Sequence, residues 1–228
     1  MKSARSTPNS FVYLELGILP IHYEIHKKQL LFLHHILHLP DDDPVKSMYF
    51  ELKCYPMAAN WATNIEKLLR KYGLPIEEQK IAKMSREKWK SVVAKAIDKD
   101  AVESLIDDAK SKKKICDIHY SGTIETQQYL YSYSSSISTV IFKLRSRSVN
   151  CLKNRGSDGL CRLCRNAMET QEHAVNCPEV AEGGQYLNLA ELYGEVPPAS
   201  SRVREIVSRI VLFEEKIKDN SPGSNVTN

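Results

Sequence analysis

No stretch of this sequence approaches the roughly 18 consecutive apolar residues that a membrane span needs. LLFL at 30–33 and IVLF at 210–213 are the longest apolar runs, and both read as buried helix faces. The opening MKSARSTPNS lacks the apolar core of a secretory signal. Without export, the Asn225-Val-Thr227 glycosylation pattern carries no meaning. There is no Gly-rich phosphate loop, nucleophile elbow or paired-carboxylate constellation, and no internal repeat. An excess of one charge is missing too: 32 Lys and Arg stand against 28 Asp and Glu, a net charge of +4, so any preference for polyanions must come from local clustering. These absences lead to the expectation of an intracellular protein, nuclear or cytoplasmic, with no membrane partner.

What is present reads as helix. A chain of 228 residues with 42% hydrophobic and 26% charged residues is ordinary for a soluble protein with a real core. Thr7-Pro8 suits a helix start, Gly17 an end and Pro20 the next start. In the segment up to Pro40, Ile21, Ile25, Phe32, Ile36 and Leu39 fall along one side, with Leu30, Leu33 and Leu37 widening the stripe. Asp43 before Pro44 reads as an acidic N-cap, opening a helix over roughly 44–55 that turns Val45, Met48, Tyr49 and Leu52 inward. NWATNIEKLLRKYGL forms another, closed by Gly73. Pro75 and Ser85 mark further starts. Trp89, Val92, Val93, Ala96 and Ile97 carry one helix, with Ala101, Leu105 and Ile106 in its continuation or successor, and KSKKK at 110–114 ends it. Residues 119–136, rich in Ser and Tyr, lack periodicity and read as a linker. Ile137, Val140, Ile141 and Leu144 restore the helical spacing, Val196-Pro197-Pro198 breaks it, and Val203, Ile206, Val207, Ile210, Phe213 and Ile217 line a last helix. The tail SPGSNVTN is expected to be disordered.

The chemistry concentrates in CRLCRNAMETQEHAVNC. Six cysteines could form three disulfides in an exported chain, but in a reducing compartment clustered Cys and His favour metal. Cys161, Cys164, His173 and Cys177 follow a Cys-x2-Cys-x8-His-x3-Cys spacing. Zinc takes four thiolate or imidazole donors in a tetrahedron, and the short Cys-x2-Cys turn lets two sulfurs face one ion. His173 and Cys177 lie one helical turn apart, near a start that Thr170 or Gln171 would provide. The stretch holds almost no large apolar residues, so metal supplies the folding energy it lacks. With all four positions filled the zinc is structural. Cys54, Cys116 and Cys151 stay outside as buried free thiols, with Cys151 able to substitute for one ligand.

Around the cluster Lys143, Arg145, Arg147, Lys153, Arg155, Arg162 and Arg165 face only Asp158 in sequence. Cations fixed on a small metal-pinned unit suit phosphate contacts, and a solvated charged surface is the plainer alternative. Tyr129, Tyr131 and Tyr133 could stack on unpaired bases, or serve as linker and core residues. His22, His26, His34, His35 and His38 include two i, i+4 pairs but lack a carboxylate or cysteine partner, and read as the polar flank of a core helix.

These pieces resemble a family. STPNSFVYLELGILPIHYEIHKKQLLFLHHIL looks like the helical segment after the polymerase core in reverse transcriptases of non-LTR (LINE-type) retrotransposons. NWATNIEKLLRKYGL, IFKLRSRS and CRLCRNAMETQEHAVNC are similar to the same proteins' C-terminal region, in the same order across residues 5–180. The resemblance implies a thumb-like helical region followed by a Cys-Cys-His-Cys zinc module that helps hold template RNA and target DNA. It carries the zinc ligands to Cys161, Cys164, His173 and Cys177, and backbone contacts first to Arg145 and Arg147. The chain departs from the family in having no Tyr/Phe-x-Asp-Asp box, no endonuclease domain on its N-terminal side and no nuclease pattern after Cys177, so activity by this chain alone is not expected.

The expected fold is mostly α: a helical bundle, a small zinc-stabilised module and a C-terminal helix. Its expected divisions are a thumb-like region over 1–118, a linker over 119–136, the basic helix plus zinc module over 137–185, the last helix over 186–220 and a tail over 221–228. The expected function is that of a nucleic-acid-binding fragment of a retrotransposon reverse transcriptase, holding an RNA or DNA backbone beside a missing upstream polymerase core. The alternative is a zinc-containing helical protein–protein interaction module. A fragment of this kind should leave an apolar face exposed on its first two helices.

Overall fold

A computed structural model describes residues 7–55, 60–194 and 201–220. The protein is mostly helical, with eleven α-helices, two short 3-10 turns and no strand among the described residues. No described helix is long and apolar enough to cross a membrane. The chain divides into two compact units, one of Leu19–Ser104, the other of Met1–Ile18 together with Leu105–Asn228. These divisions differ from those expected at 119 and 137, because the first helix and residues 105–118 pack with the C-terminal half.

In the unit Leu19–Ser104, α2 (Ile21–Leu37) follows Pro20, and α3 (Pro44–Cys54) starts where Asp43 accepts from the Val45 N–H at 2.8 Å with proline at N1. Asn60 caps α4 (Trp61–Lys71) by accepting from Thr63 N–H at 2.8 Å. The short α5 (Glu78–Ala82) leads to α6 (Arg86–Ser111), one continuous helix where the sequence allowed two. Trp89, Val93, Ile97 and Ala101 recur every fourth residue and are all buried, and the Trp89 indole donates to the Leu30 carbonyl at 2.9 Å.

The buried side of α2 is not quite the expected one. Tyr23, Leu30, Leu33, Ile36 and Leu37 are inside, whereas Ile21 is 72% exposed, and Ile25 and Phe32 are exposed as well. A helix with apolar residues on most of its circumference gives no periodicity from which to choose a face, and the packing of α6 against Leu30 decides it. On α3 only Tyr49 is buried, and Val45 and Met48 face water.

The second unit holds α1 (Asn9–Leu16), the end of α6, α7 (Tyr129–Ser132), α8 (Ser135–Arg145), α9 (Gln171–Asn176), α10 (Pro178–Ala181) and α11 (Ser201–Asp219). Gly17 ends α1 at φ +63°, and a Cβ there would come within 2.2 Å of the Thr126 backbone nitrogen, so only glycine fits. Every apolar residue expected to line α11 is buried, packing with α8, the stretch between them and the cysteine segment in one core. Phe11 and Leu14 of α1 join Leu105, Ala109, Ile115 and Ile118 in a smaller one.

The 119–136 stretch is not a linker. It contains α7, and Tyr129 is fully buried, its hydroxyl donating to Glu15 at 2.6 Å. A partner 114 residues away leaves no local pattern, which is why composition alone suggested a loop. The expected break at 196–198 and the tail at 221–228 lie outside the described residues.

Candidate metal centre

The Cys161–Cys164 turn is built by backbone bonds. Leu160 and Met168 form an antiparallel bridge, Cys161 N–H donates to Ala167 O at 2.7 Å, and Arg165 N–H reaches back to Cys161 O at 3.0 Å. Closing so tight a turn forces Arg165 to φ +61°, a left-handed conformation that side-chain-bearing residues seldom adopt. Asn166 N–H points at the Cys164 sulfur at 3.5 Å. On the other side the Thr170 hydroxyl accepts from His173 N–H at 3.1 Å and caps α9, setting His173 in its first turn. Cys177 follows α9 directly, its carbonyl accepting from Val180 and Ala181 at the start of α10.

These elements bring the four donor atoms within 4.8 Å of one another. Cys161 and Cys177 sulfurs are 3.8 Å apart, and Cys164 Sγ lies 3.3 Å from His173 Nε2. A tetrahedral zinc with ordinary bond lengths separates two sulfurs by about 3.8 Å and a sulfur from a nitrogen by about 3.6 Å. The group could therefore hold a metal ion such as zinc. Cys161 and Cys177 are buried, Cys164 and His173 half-buried. Burial pushes the Cys177 thiol up to about 12 and lowers the His173 imidazole. Burial also opposes ionisation of Cys164, yet its pKa falls, through the Asn166 N–H and the neighbouring thiols of Cys161 and Cys177. A neutral imidazole is what a metal requires, and a divalent ion is the natural counter-charge for a Cys177 thiolate that burial otherwise disfavours. An ion held by all four protein donors would have no position left open for water.

A residue that sequence reading missed organises this centre. The buried Glu169 carboxylate accepts from Leu152 N–H at 3.0 Å, from Arg162 N–H at 2.8 Å and from the Arg162 guanidinium, while its own N–H donates to Gly159 O at 3.0 Å. Burial would raise the Glu169 pKa, but the Arg162 bonds overcome it and the net shift is downward. Glu169 thereby ties the 150s segment to the cysteine turn. Nothing in the local sequence distinguishes it from a surface glutamate. Cys151, considered as a substitute ligand, is buried outside the cluster, and burial raises its pKa to about 11. Cys54 and Cys116 are exposed rather than buried.

Most of the basic residues expected to contact phosphates already have partners. Arg145, expected at the phosphate surface, is instead 0% exposed, paired with the equally buried Glu15 at 2.8 Å and donating to the Leu192 and Gly194 carbonyls, so it cannot reach a ligand. Arg147 pairs with Asp117 at 2.7 Å, Lys143 with Glu214 at 3.4 Å, Lys153 with Asp158, and Arg162 with Glu169 at 2.7 Å. Arg155 and Arg165 are exposed and make no ion pair among the described residues. Of the three tyrosines proposed to stack, Tyr129 and Tyr133 are buried and Tyr131 is exposed. The five histidines of α2 and its end gather no metal set: His26 Nδ1 meets the Tyr72 hydroxyl at 2.6 Å, and His34 is buried against the Met84 carbonyl at 3.0 Å.

Comparison with family models, with curated proteins and with solved structures finds no match to this chain.

Proposed function

We propose that the chain is a nucleic-acid-binding module, the C-terminal piece of a non-LTR retrotransposon reverse transcriptase, whose zinc-held turn presents Arg155 and Arg165 to a phosphate backbone. The observation that carries this reading is the coincidence of a four-donor cluster able to hold a metal ion with two exposed arginines, without ion pairs among the described residues, on the segment that carries it. Arg165 keeps a left-handed backbone that glycine would adopt more easily, so its side chain is retained at a conformational cost. Lys153 and Lys143 are partly exposed and could exchange their single carboxylates for phosphates. This grip differs from the expected one in leaving out Arg145. Zinc is the metal that suits three thiolates and an imidazole. The exposed Ile21, Ile25 and Phe32 of α2 accord with a piece that once packed on an upstream polymerase core.

The test is binding of single-stranded RNA and DNA to the full zinc-loaded chain at several salt concentrations. Affinity should fall steeply with salt, and Arg155→Ala with Arg165→Ala should flatten the slope by about one to two units. Equal slopes for variant and parent would remove the proposed surface.

A second reading has its own observation. Leu160 and Met168, paired across the bridge at the tip of the turn, are 55% and 45% exposed, an apolar pair more suited to a protein surface than to a phosphate. No gel shift at low salt would favour this protein-interaction module.

A further inference from the structure

A second feature lies wholly within the unit Leu19–Ser104 and does not rest on the zinc module. A cleft of about 860 Å³ opens between the last turn of α2 and the first turn of α6, lined by His34, His35 and His38 on one side and Ser85, Arg86, Glu87 and Lys90 on the other. Its volume is in the range of small-molecule clefts. Arg86 and Lys90, four residues apart on one face of α6, make no ion pair among the described residues, and neither does Glu87, the single acid present.

The start of α6 is charged against its own dipole. The positive end of a 26-residue helix favours carboxylates nearby, yet SREKWK places Arg86, Lys88 and Lys90 there with only Glu87 to offset them. The Ser85 hydroxyl accepts from Lys88 N–H at 3.3 Å, while the Arg86 and Glu87 N–H groups have no protein acceptor among the described residues. Cations and free amides converging on one concavity are stabilised by an anion placed among them.

The opposite wall is flat and aromatic. The His34 ring stacks on His38 at 4.1 Å and lies nearly parallel to Trp89 at 6.4 Å. His34 Nε2 is occupied by the Met84 carbonyl and His38 Nδ1 by the His34 carbonyl at 2.8 Å, so the two rings are fixed in place rather than turned toward a common ion. The arrangement therefore suits an anionic ligand with a planar part better than a metal.

We infer that this cleft binds a phosphorylated ligand of nucleotide size, its phosphate held by Arg86, Lys90 and the first amides of α6 and its planar part against the His35 and His38 imidazoles. The phosphate could belong to a free nucleotide or to a nucleotide within a single strand, and the chemistry of recognition is the same.

Calorimetric titration of the full zinc-loaded chain with pyrophosphate and with adenosine triphosphate, at ionic strength held constant with chloride, tests it. Saturable binding of both is expected, with shifts confined to the His35 and His38 ring-proton resonances among the histidines. Arg86→Gln with Lys90→Gln should weaken both about tenfold or more, without lowering the unfolding midpoint, since both side chains are exposed and sit against the helix dipole. Arg155→Ala with Arg165→Ala should leave this binding unchanged, which separates it from the metal-module reading. Displacement of the triphosphate by a single-stranded oligonucleotide assigns the site to nucleic acid, and its retention to free nucleotide; either supports the inference. No saturation by millimolar pyrophosphate, or equal affinity in the Arg86/Lys90 variant, overturns it.

Discussion

At the position of Arg145 a guanidinium sits with no access to water, and five groups answer its charge or share its partner. Glu15 pairs with it, the Leu192 and Gly194 carbonyls accept from it, and Tyr120 and Tyr129 also donate to Glu15 at 3.1 and 2.6 Å. A buried pair of this kind is costly to break, because the surviving charge has lost both water and partner. Arg145→Met alone should therefore destabilise the unit by about 3–5 kcal/mol. Adding Glu15→Gln should recover part of that loss, read by urea unfolding of both singles and the double; simple additivity would mean the pair acts independently. The same contacts fix an alkaline limit. Burial first, and then the Glu15 charge, raise the Tyr120 and Tyr129 pKa values well above the ordinary tyrosine value. A raised folded pKa gives stability that is complete below the unfolded value of about 10 and is lost as pH climbs beyond it. Tyrosine absorbance should accordingly show a class of hydroxyls that ionises only as this unit unfolds, and Glu15→Gln should bring that class closer to the free residues.

Single elements show how much of the molecule could be read in advance. Asp43, Asn60 and Thr170 act as caps because a short oxygen-bearing side chain before a helix serves the orphan N–H groups wherever it occurs. The lining of α11 and the four donors were equally legible, since helical spacing and ligand spacing are local. What could not be read is long-range. The acids that neutralise Arg145, Arg147 and Lys143 lie at Glu15, Asp117 and Glu214, so a stretch that is basic in sequence is largely paired in space. The buried Tyr129 was hidden for the same reason, and on α2 the apolar residues outnumbered the positions one face can bury. The metal element carries its own expectation. At six residues α9 is too short to persist by itself, and the turn before it contributes little apolar burial. The purified chain should hold one zinc; Cys177→Ser should lose it, and Cys151→Ser should keep it. Elemental analysis of the three proteins decides, and retention by Cys177→Ser would show that the four donors do not share an ion.

Across the whole molecule, the four-donor group and the tryptophans fall in different units. Trp61 and Trp89 both belong to Leu19–Ser104, whereas Cys161, Cys164, His173 and Cys177 belong to the other unit, whose core they enter through Cys161 and Cys177. Each unit buries its own apolar residues, so loss of the ion should act first on the unit that holds it. Binding to the folded state alone stabilises by about 4 kcal/mol when free ligand is a thousandfold above its dissociation constant, and chelation removes that contribution. In a chelator the thermal transition followed by the methyl resonances of Val203, Ile206 and Ile210 should move down by several degrees, while the tryptophan fluorescence transition stays where it was. Acidification should imitate the chelator, because protons compete with the ion for three thiolates and an imidazole. If tryptophan fluorescence followed the metal as closely as those methyl resonances do, the two units would unfold as one, and the zinc turn would govern the stability of helices that contain none of its ligands.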